Sequence, residues 1–325
     1  MRYALTSQTK IIIALLLVNV VIMFSLSFLS PTFLTYGNIS SLLTRMSELG
    51  VLATAVTVTF ISGGFDLSIG AVMALSGMIA GYSVLSGLPL FFAISFSLLA
   101  GVLVGLMNTL FIIKLRLQPF VVTLATMTMV RSIVYGFMRG KTITAFPESL
   151  LSLGDMYVFG IPSLFIILII CAAFTALLLK RTILGRYIFA LGGNERTAFL
   201  SGVPVNTIKC FVYIFSGLLS ALAGLLLVIR IRAAIPDAGL NAPLEVITAV
   251  VIGGTSIKGG KGSLLGSLLG IFAMFLLING FSLLGLNPFW SVIVLGIILI
   301  VVVGQEGIMM PLITFFLGKT RHRVD

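Results

Sequence analysis

The chain has 325 residues, of which 59% are hydrophobic and 9% are charged, with a formal net charge of +11. A soluble domain averages about 25% charged residues, so the composition excludes a water-soluble fold and indicates a polytopic membrane protein. The basic residues are scattered between apolar segments, which argues against nucleic-acid binding and is typical of loops that orient a membrane protein.

Apolar segments long enough to cross a bilayer, which takes about 20 residues, recur along the whole chain. The first follows Arg2 and Lys10 and is too long for the apolar part of a secretory signal, so we interpret it as an uncleaved span. Two segments, 46–63 and 244–257, are short and carry Gly-Gly near their ends, a pattern typical of segments that line a cavity. The predicted fold class is an all-α polytopic membrane protein of about ten transmembrane helices. The spans lie near 11–30, 46–63, 67–87, 90–113, 118–138, 161–179, 208–229, 244–257, 263–284 and 288–305.

The distribution of basic residues predicts the orientation of these spans. With a cytoplasmic N-terminus, most of the 20 lysine and arginine residues fall in inside loops, so we expect both termini in the cytoplasm. The hexapeptide LRLQPF at 115–120 resembles LGLNPF at 284–289, on the opposite side of the membrane. We therefore expect one transmembrane domain over 1–325 that contains inverted repeats at about 46–138 and 208–305, with a chance match as the alternative.

Asp66 lies between two apolar spans, in the stretch SGGFDLSIGAVMALSG at 62–77. A carboxylate at the bilayer centre costs about 2.5–3.5 kcal/mol, so we expect Asp66 to face water, protein or a helix end. With Gly63 and Gly64 it shapes the pathway or an inner gate. The alternative, which we prefer to direct substrate contact, is that Asp66 caps a helix that begins near Leu67.

Three more polar residues fall inside predicted spans. Arg131 lies about halfway along its span and is a functional candidate, with hydrogen bonding to an asparagine or a backbone carbonyl as the alternative. Asn108 and Asn279 either bind a hydroxylated substrate or join helices, which is the commoner role.

A polar, basic stretch at 190–209, ALGGNERTAFLSGVPVNTIK, interrupts the apolar chain. Asn194 is a suitable N-cap, Gly202 suits the position after a helix, and Pro204 prevents continuation. The stretch therefore predicts one short cytoplasmic helix, which would suit a membrane subunit driven by an external motor. An ordinary solvated loop is the alternative.

Motifs for nucleotide binding, metal binding and catalysis are missing from the sequence. The stretch GGTSIKGGKG at 253–262 lacks the P-loop spacing, because Thr255 stands at the first glycine position and Gly262 follows Lys261. Cys171 and Cys210 lie in or beside apolar segments and indicate no metal site. Because an ion-coupled transporter normally carries acids within its spans, we expect an external energy source. We place the acids other than Asp66 in loops: Glu48, Glu148, Asp155, Glu195, Asp237, Glu245, Glu306 and Asp325.

Six stretches in order, from about residue 50 to 305, resemble the permease subunits of bacterial ribose-type sugar ABC importers. They are GGFDLSIGAVMALSGMIAG, PFVVTLATMTMVRSIVYG, GRYIFALGGNERTAFLSGVPVNTIK, SGLLSALAGLLL, AVVIGGTSIKGGKGSLLGSLLG and INGFSLLGLNPFW. The chain departs from the family pattern at Ala234, Ile235 and Ile278, where Ser, Gln and a second Asn are usual, which leaves the cargo open.

The resemblance implies a permease that works with a second copy or a paralogue. It also implies a cytoplasmic ATP-binding subunit that uses the ATP and a periplasmic or lipid-anchored sugar-binding protein. A short cytoplasmic helix in the segment 180–207 would dock on the ATPase. The implied coupling residues are Gly192, Gly193, Asn194, Glu195, Arg196 and Gly202.

The sequence therefore predicts a permease of the bacterial inner membrane that translocates a monosaccharide by alternating access. We expect it to bind no cofactor or metal of its own and no nucleic acid. The alternative is an ion-coupled secondary transporter of a small polar solute, with Asp66 and Arg131 as the coupled pair. A membrane enzyme is the third hypothesis.

Overall fold

The computed structural model describes residues 7–287, together with residues 290, 293, 294, 296, 297 and 300. This part of the chain forms twelve helices and one short antiparallel hairpin. The helices are α1 (Ser7–Leu29), α2 (Tyr36–Ile61), α3 (Ile69–Leu85), α4 (Leu90–Lys114), α5 (Pro119–Met138), α6 (Glu148–Asp155), α7 (Ser163–Arg181), α8 (Ile183–Gly193), α9 (Glu195–Leu200), α10 (Val205–Ile231), α11 (Ala242–Ile252) and α12 (Leu264–Leu283). The strands are β1 (Tyr157–Val158) and β2 (Ile161–Pro162).

Six of these helices, α1, α4, α5, α7, α10 and α12, are long and apolar enough to cross a membrane. The fold is therefore that of a polytopic helical membrane protein. The count of ten spans, the cytoplasmic termini and the inverted repeats stay predictions. The tenth predicted span, 288–305, falls almost entirely outside the described residues.

The helix α2 is longer than the sequence predicts. The expected span at 46–63 was short, whereas α2 begins at Tyr36 and has 26 residues. Its first turns carry polar residues such as Asn38 and Arg45, which lower the hydropathy without ending the helix. Thr35 accepts the backbone N–H of Asn38 and so caps the helix start. The second short segment is confirmed, since α11 has only 11 residues.

The core is built around α2 and α10, which pack against each other, and α10 also packs against α3 and α4. Glycines allow the closest of these crossings. A Cβ atom on Gly101 would lie 2.2 Å from the carbonyl oxygen of Gly217, and one on Gly224 would lie 2.3 Å from that of Met73. Small residues at the contact let membrane helices approach at backbone distance, which fixes α10 firmly between its neighbours.

Candidate functional site

The predicted coupling segment, 180–207, folds as two helices instead of one, because residues 190–193 complete α8 before α9 begins. The cap assignments are confirmed. Asn194 accepts the backbone N–H of Thr197 on its Oδ1 at 2.8 Å, and Gly202 has a φ of 81°, which favours glycine. Pro204 then directly precedes α10. The two helices thus form a continuous link between α7 and the start of the central helix α10.

The helix α9 exposes an apolar tip. The side chains of Phe199 and Leu200 are 68% and 76% exposed. A cavity of about 580 Å³ lies beside them, between α9 and the first turn of α10, and Glu195 and Arg196 help to line it. The carboxylate of Glu195 pairs with the Nζ of Lys209 at 2.6 Å. Large exposed apolar side chains next to a groove are typical of a protein–protein contact surface.

Glycines from three Gly-Gly pairs that are far apart in sequence meet beside α8. We call this contact the glycine junction, and it is formed by Gly63, Gly192, Gly259 and Gly260. A Cβ atom on Gly192 would lie 1.8 Å from the carbonyl oxygen of Ile61, at the end of α2. The N–H of Gly260 donates to that same carbonyl at 2.9 Å. The end of α2, the end of α8 and the loop before α12 therefore meet at backbone distance.

Of the two adjacent glycines predicted for coupling, Gly192 is tightly packed and Gly193 is not. A Cβ atom on Gly193 would meet nothing within 4 Å, so the neighbour of Gly192 has free space. Gly63 and Gly64 line a polar cavity of about 520 Å³, together with Arg116, Lys209 and other residues. These two pathway candidates therefore do border open space.

Asp66 is buried and makes three hydrogen bonds. Its Oδ1 accepts the N–H and the Oγ–H of Ser68, at 2.9 and 2.6 Å, and its Oδ2 accepts the Oγ–H of Ser216 at 2.7 Å. The helix α3 begins at Ile69, two residues later than predicted, and Ser68 at its cap position makes no side-chain cap bond. Asp66 accepts the backbone N–H of Ser68, the kind of bond that the capping alternative predicts, and so holds the start of α3. Its bond with Ser216 also ties the break between α2 and α3 to α10.

Arg131 binds backbone carbonyls, which confirms the alternative given for it. Its Nη1 donates to Pro236 at 2.7 Å and to Ala238 at 2.8 Å, and its Nη2 donates to Gly70 at 3.1 Å. The guanidinium thus fastens the segment between α10 and α11 onto α3. Among the described residues, Asp66 and Arg131 share no hydrogen-bond partner.

The two asparagines join helices. The Nδ2 of Asn108 donates to the Oγ of Ser68 at 3.0 Å, which links α4 to the start of α3. Its Oδ1 is buried without a hydrogen-bond partner among the described residues. Asn279 on α12 exchanges hydrogen bonds with Asn38 on α2, at 3.1 and 2.8 Å.

The placement of Glu48 and Glu245 in loops is wrong, since both lie within helices. Glu48 is only 6% exposed in α2 and pairs with Arg230 of α10 through two hydrogen bonds of 2.8 and 2.6 Å. Glu48 already fell within the predicted span 46–63, but its partner lies 182 residues further along the chain, so local sequence could not indicate the pair. A bidentate arginine partner neutralises the acid where it lies. Among the described residues, no group of three or more His, Cys, Asp or Glu could hold a metal ion.

The six long apolar helices and the break between α2 and α3 at Asp66 are those of a multi-pass membrane protein. The chain belongs to the family described as branched-chain amino acid transport system / permease component, which it matches over residues 38–303. The predicted family resemblance is thereby confirmed.

Individual relatives are similar over most of the chain. It is 39% identical over 303 residues to the ribose import permease protein RbsC of Haemophilus influenzae, covering 92% of both chains. It is 37% identical to the RbsC of Bacillus subtilis, covering 85% of this chain and 87% of the relative. It is 35% identical to the L-arabinose transport system permease protein AraH of Escherichia coli, covering 89% of this chain and 88% of the relative. No solved structure matches the chain.

Proposed function

We propose that the chain is the membrane-spanning subunit of an ATP-binding-cassette importer for a monosaccharide such as ribose or a similar sugar. The family description names amino acids, whereas the relatives that cover most of the chain are named for ribose and L-arabinose. Because that similarity extends over most of the chain, it favours a sugar over an amino acid as the transported molecule. Because both named sugars are pentoses, a neutral pentose is the cargo that we expect.

The observation that carries the proposal is the backbone contact between the exposed segment α8–α9 and the central helices. A partner that pushes on Phe199 and Leu200 displaces α9, which leads directly into α10. Through the glycine junction the same push reaches the inner end of α2. Since α2 and α10 pack together at the core, their rocking would open the pathway alternately to each side.

The proposed assembly contains a second copy or a paralogue of this chain, a cytoplasmic ATPase and a periplasmic or lipid-anchored sugar-binding protein. In this arrangement ATP stays on the ATPase and the permease needs no cofactor. The binding protein would dock on the outer face, which carries α6 and the hairpin β1–β2.

The apolar tip of α9 gives the direct test. Replacing Phe199→Asp together with Leu200→Asp should lower ATP-driven uptake and sugar-stimulated ATP hydrolysis about tenfold or more, since apolar interface anchors are worth about 1–2 kcal/mol each. The assay uses vesicles that hold the permease with the ATPase and binding protein of its own system. The matched control is Phe199→Leu together with Leu200→Met, which keeps the tip of α9 apolar and should retain both activities. Unchanged coupling in the double variant would place the docking surface elsewhere.

A secondary transporter is the second candidate, and the buried Glu48 is the observation that favours it. In our proposal Glu48 is a structural ion-pair partner, so Glu48→Gln should keep ATP-driven uptake. Uptake driven by a proton or sodium gradient, and lost in Glu48→Gln, would instead support the ion-coupled function.

A further inference from the structure

A polar stripe follows the outer halves of α2 and α12. Asn38, Ser41 and Arg45 recur at helical spacing on α2, and Asn279 and Ser282 face them from α12. The side chains of Ser41, Arg45 and Ser282 are exposed, and the two asparagines are half-buried. Together they line a cavity of about 150 Å³, which we call the outer polar pocket.

The pocket spans the outer boundary of the membrane, since Ser41 lies about 30 Å and Asn38 about 34 Å from Ile61 along α2. At 1.5 Å per residue, Arg45 is about 24 Å from Ile61 along α2, and Asn279 is about 22 Å from Leu264 along α12. Both starting points lie at the inner face, beside the glycine junction, and the hydrocarbon core is about 30 Å thick. An exposed guanidinium at this depth reaches the water at the membrane boundary, a water-filled space or another polypeptide, because lipid does not solvate it.

The chemistry of the pocket suits hydroxyl groups. The Nδ2 of Asn38 donates to the carbonyl oxygen of Phe33 at 2.8 Å and to Asn279, so both of its hydrogens are used. Asn279 keeps one free hydrogen on Nδ2, both amide oxygens keep a lone pair, and each serine hydroxyl can donate and accept. Arg45 makes no hydrogen bond within the described part of the chain and adds free donors. Leu42 and Ile278 supply an apolar wall. A pocket of neutral amides and hydroxyls, one cation and no acid matches a neutral polyhydroxylated ligand better than an ammonium-bearing one.

We propose that the outer polar pocket is a hydroxyl-binding subsite through which the transported monosaccharide passes. This inference rests on the proposed function and locates its pathway. Of the pathway residues predicted from the sequence, Asn279 belongs to the pocket. Asp66 and Asn108 are buried in hydrogen bonds, and Arg131 is bound to backbone carbonyls.

The test measures water access and sugar protection at single cysteines. In a full-length chain with Cys171→Ser and Cys210→Ser, the variants Ser41→Cys and Ser282→Cys are exposed to a charged, membrane-impermeant thiosulfonate from outside. The control is Leu17→Cys, on an exposed apolar face of α1. We expect rapid labelling at 41 and 282 and none at 17, because the reactive thiolate does not form in lipid. At about nine times the Kd, D-ribose or L-arabinose should slow the labelling about tenfold.

Two results would overturn the inference. If positions 41 and 282 are as unreactive as position 17, the stripe is covered by lipid or protein and lines no pathway. If the cysteines react but neither sugar slows their labelling, the pocket does not bind the sugar. The same conclusion follows if leucine slows the labelling as well as the sugars do. ATP-dependent uptake by the same cysteine variants, measured in parallel, judges the proposed function separately and shows that each variant is folded.

Discussion

Three charged side chains among the predicted spans, Glu48, Asp66 and Arg131, are held by specific hydrogen-bond partners. This separates them from Arg45, which makes no hydrogen bond in the described part of the chain and is our candidate for transport. Glu48 has Arg230, Asp66 has Ser68 and Ser216, and Arg131 has three carbonyl oxygens. The sequence identified Asp66 and Arg131 as unusual because an ionisable residue in an apolar run is conspicuous. It could not show their partners, which lie up to 150 residues away along the chain.

The ion pair between Glu48 and Arg230 gives the first prediction at this scale. Arg230→Met leaves a buried carboxylate without its partner, which should lower the free energy of unfolding by about 3–5 kcal/mol. Thermal unfolding in detergent measures the loss. The matched control is Arg232→Met, whose exposed pairs with Glu148 and Asp155 should contribute at most about 1 kcal/mol. Equal losses in the two variants would contradict a buried pair.

The second prediction separates structure from charge at Asp66. Asp66→Ala leaves the donors on Ser68 and Ser216 unsatisfied, at about 1–3 kcal/mol for each buried group, so the protein should be strongly destabilised. Asp66→Asn keeps an acceptor oxygen and should retain most of the stability and of the ATP-driven uptake. An Asp66→Asn protein as stable as the parent but unable to transport would show that the negative charge itself takes part.

At the scale of elements, the sequence predicted the caps of α9 better than the length of α2 or the contacts between helices. The caps of α9 follow from local chemistry at Asn194 and Gly202, so they could be predicted. The start of α2 could not be predicted, because the polar residues of its first turns lower the average hydropathy below that of a membrane span. In the structure those residues are still helical and form a polar stripe. The glycine junction joins three distant Gly-Gly pairs, and only tertiary packing reveals that contact.

The junction provides a prediction with an adjacent control. In Gly192→Ala the new methyl group meets the carbonyl oxygen of Ile61, and such overpacking costs about 1–3 kcal/mol, or more where backbone must move. We expect lower thermal stability and weaker coupling between ATP hydrolysis and uptake. Gly193→Ala, which has open space, should behave as the parent. If both variants are equally coupled and stable, α8 and α2 are not in backbone contact.

At the scale of the whole molecule, composition and motif order were enough to predict a polytopic permease, and the family match confirms it. The pathway was harder to predict. Hydropathy marks a polar residue as unusual without showing whether it faces protein or water, so Asp66 was favoured while the exposed Arg45 was overlooked. The short helix α9 could be predicted because a polar island in an apolar chain is visible without tertiary information, whereas its coupling role stays a prediction.

The central claim is that this chain forms a gate whose energy is supplied by ATP hydrolysis on a separate subunit. The most direct measurement is the accumulation of radiolabelled D-ribose or L-arabinose in vesicles that contain the purified chain, with and without the ATPase and the binding protein. The account predicts accumulation only when both partners and ATP are present, whatever proton or sodium gradient is imposed. Concentration of either sugar against its gradient by vesicles that lack the ATPase would contradict it.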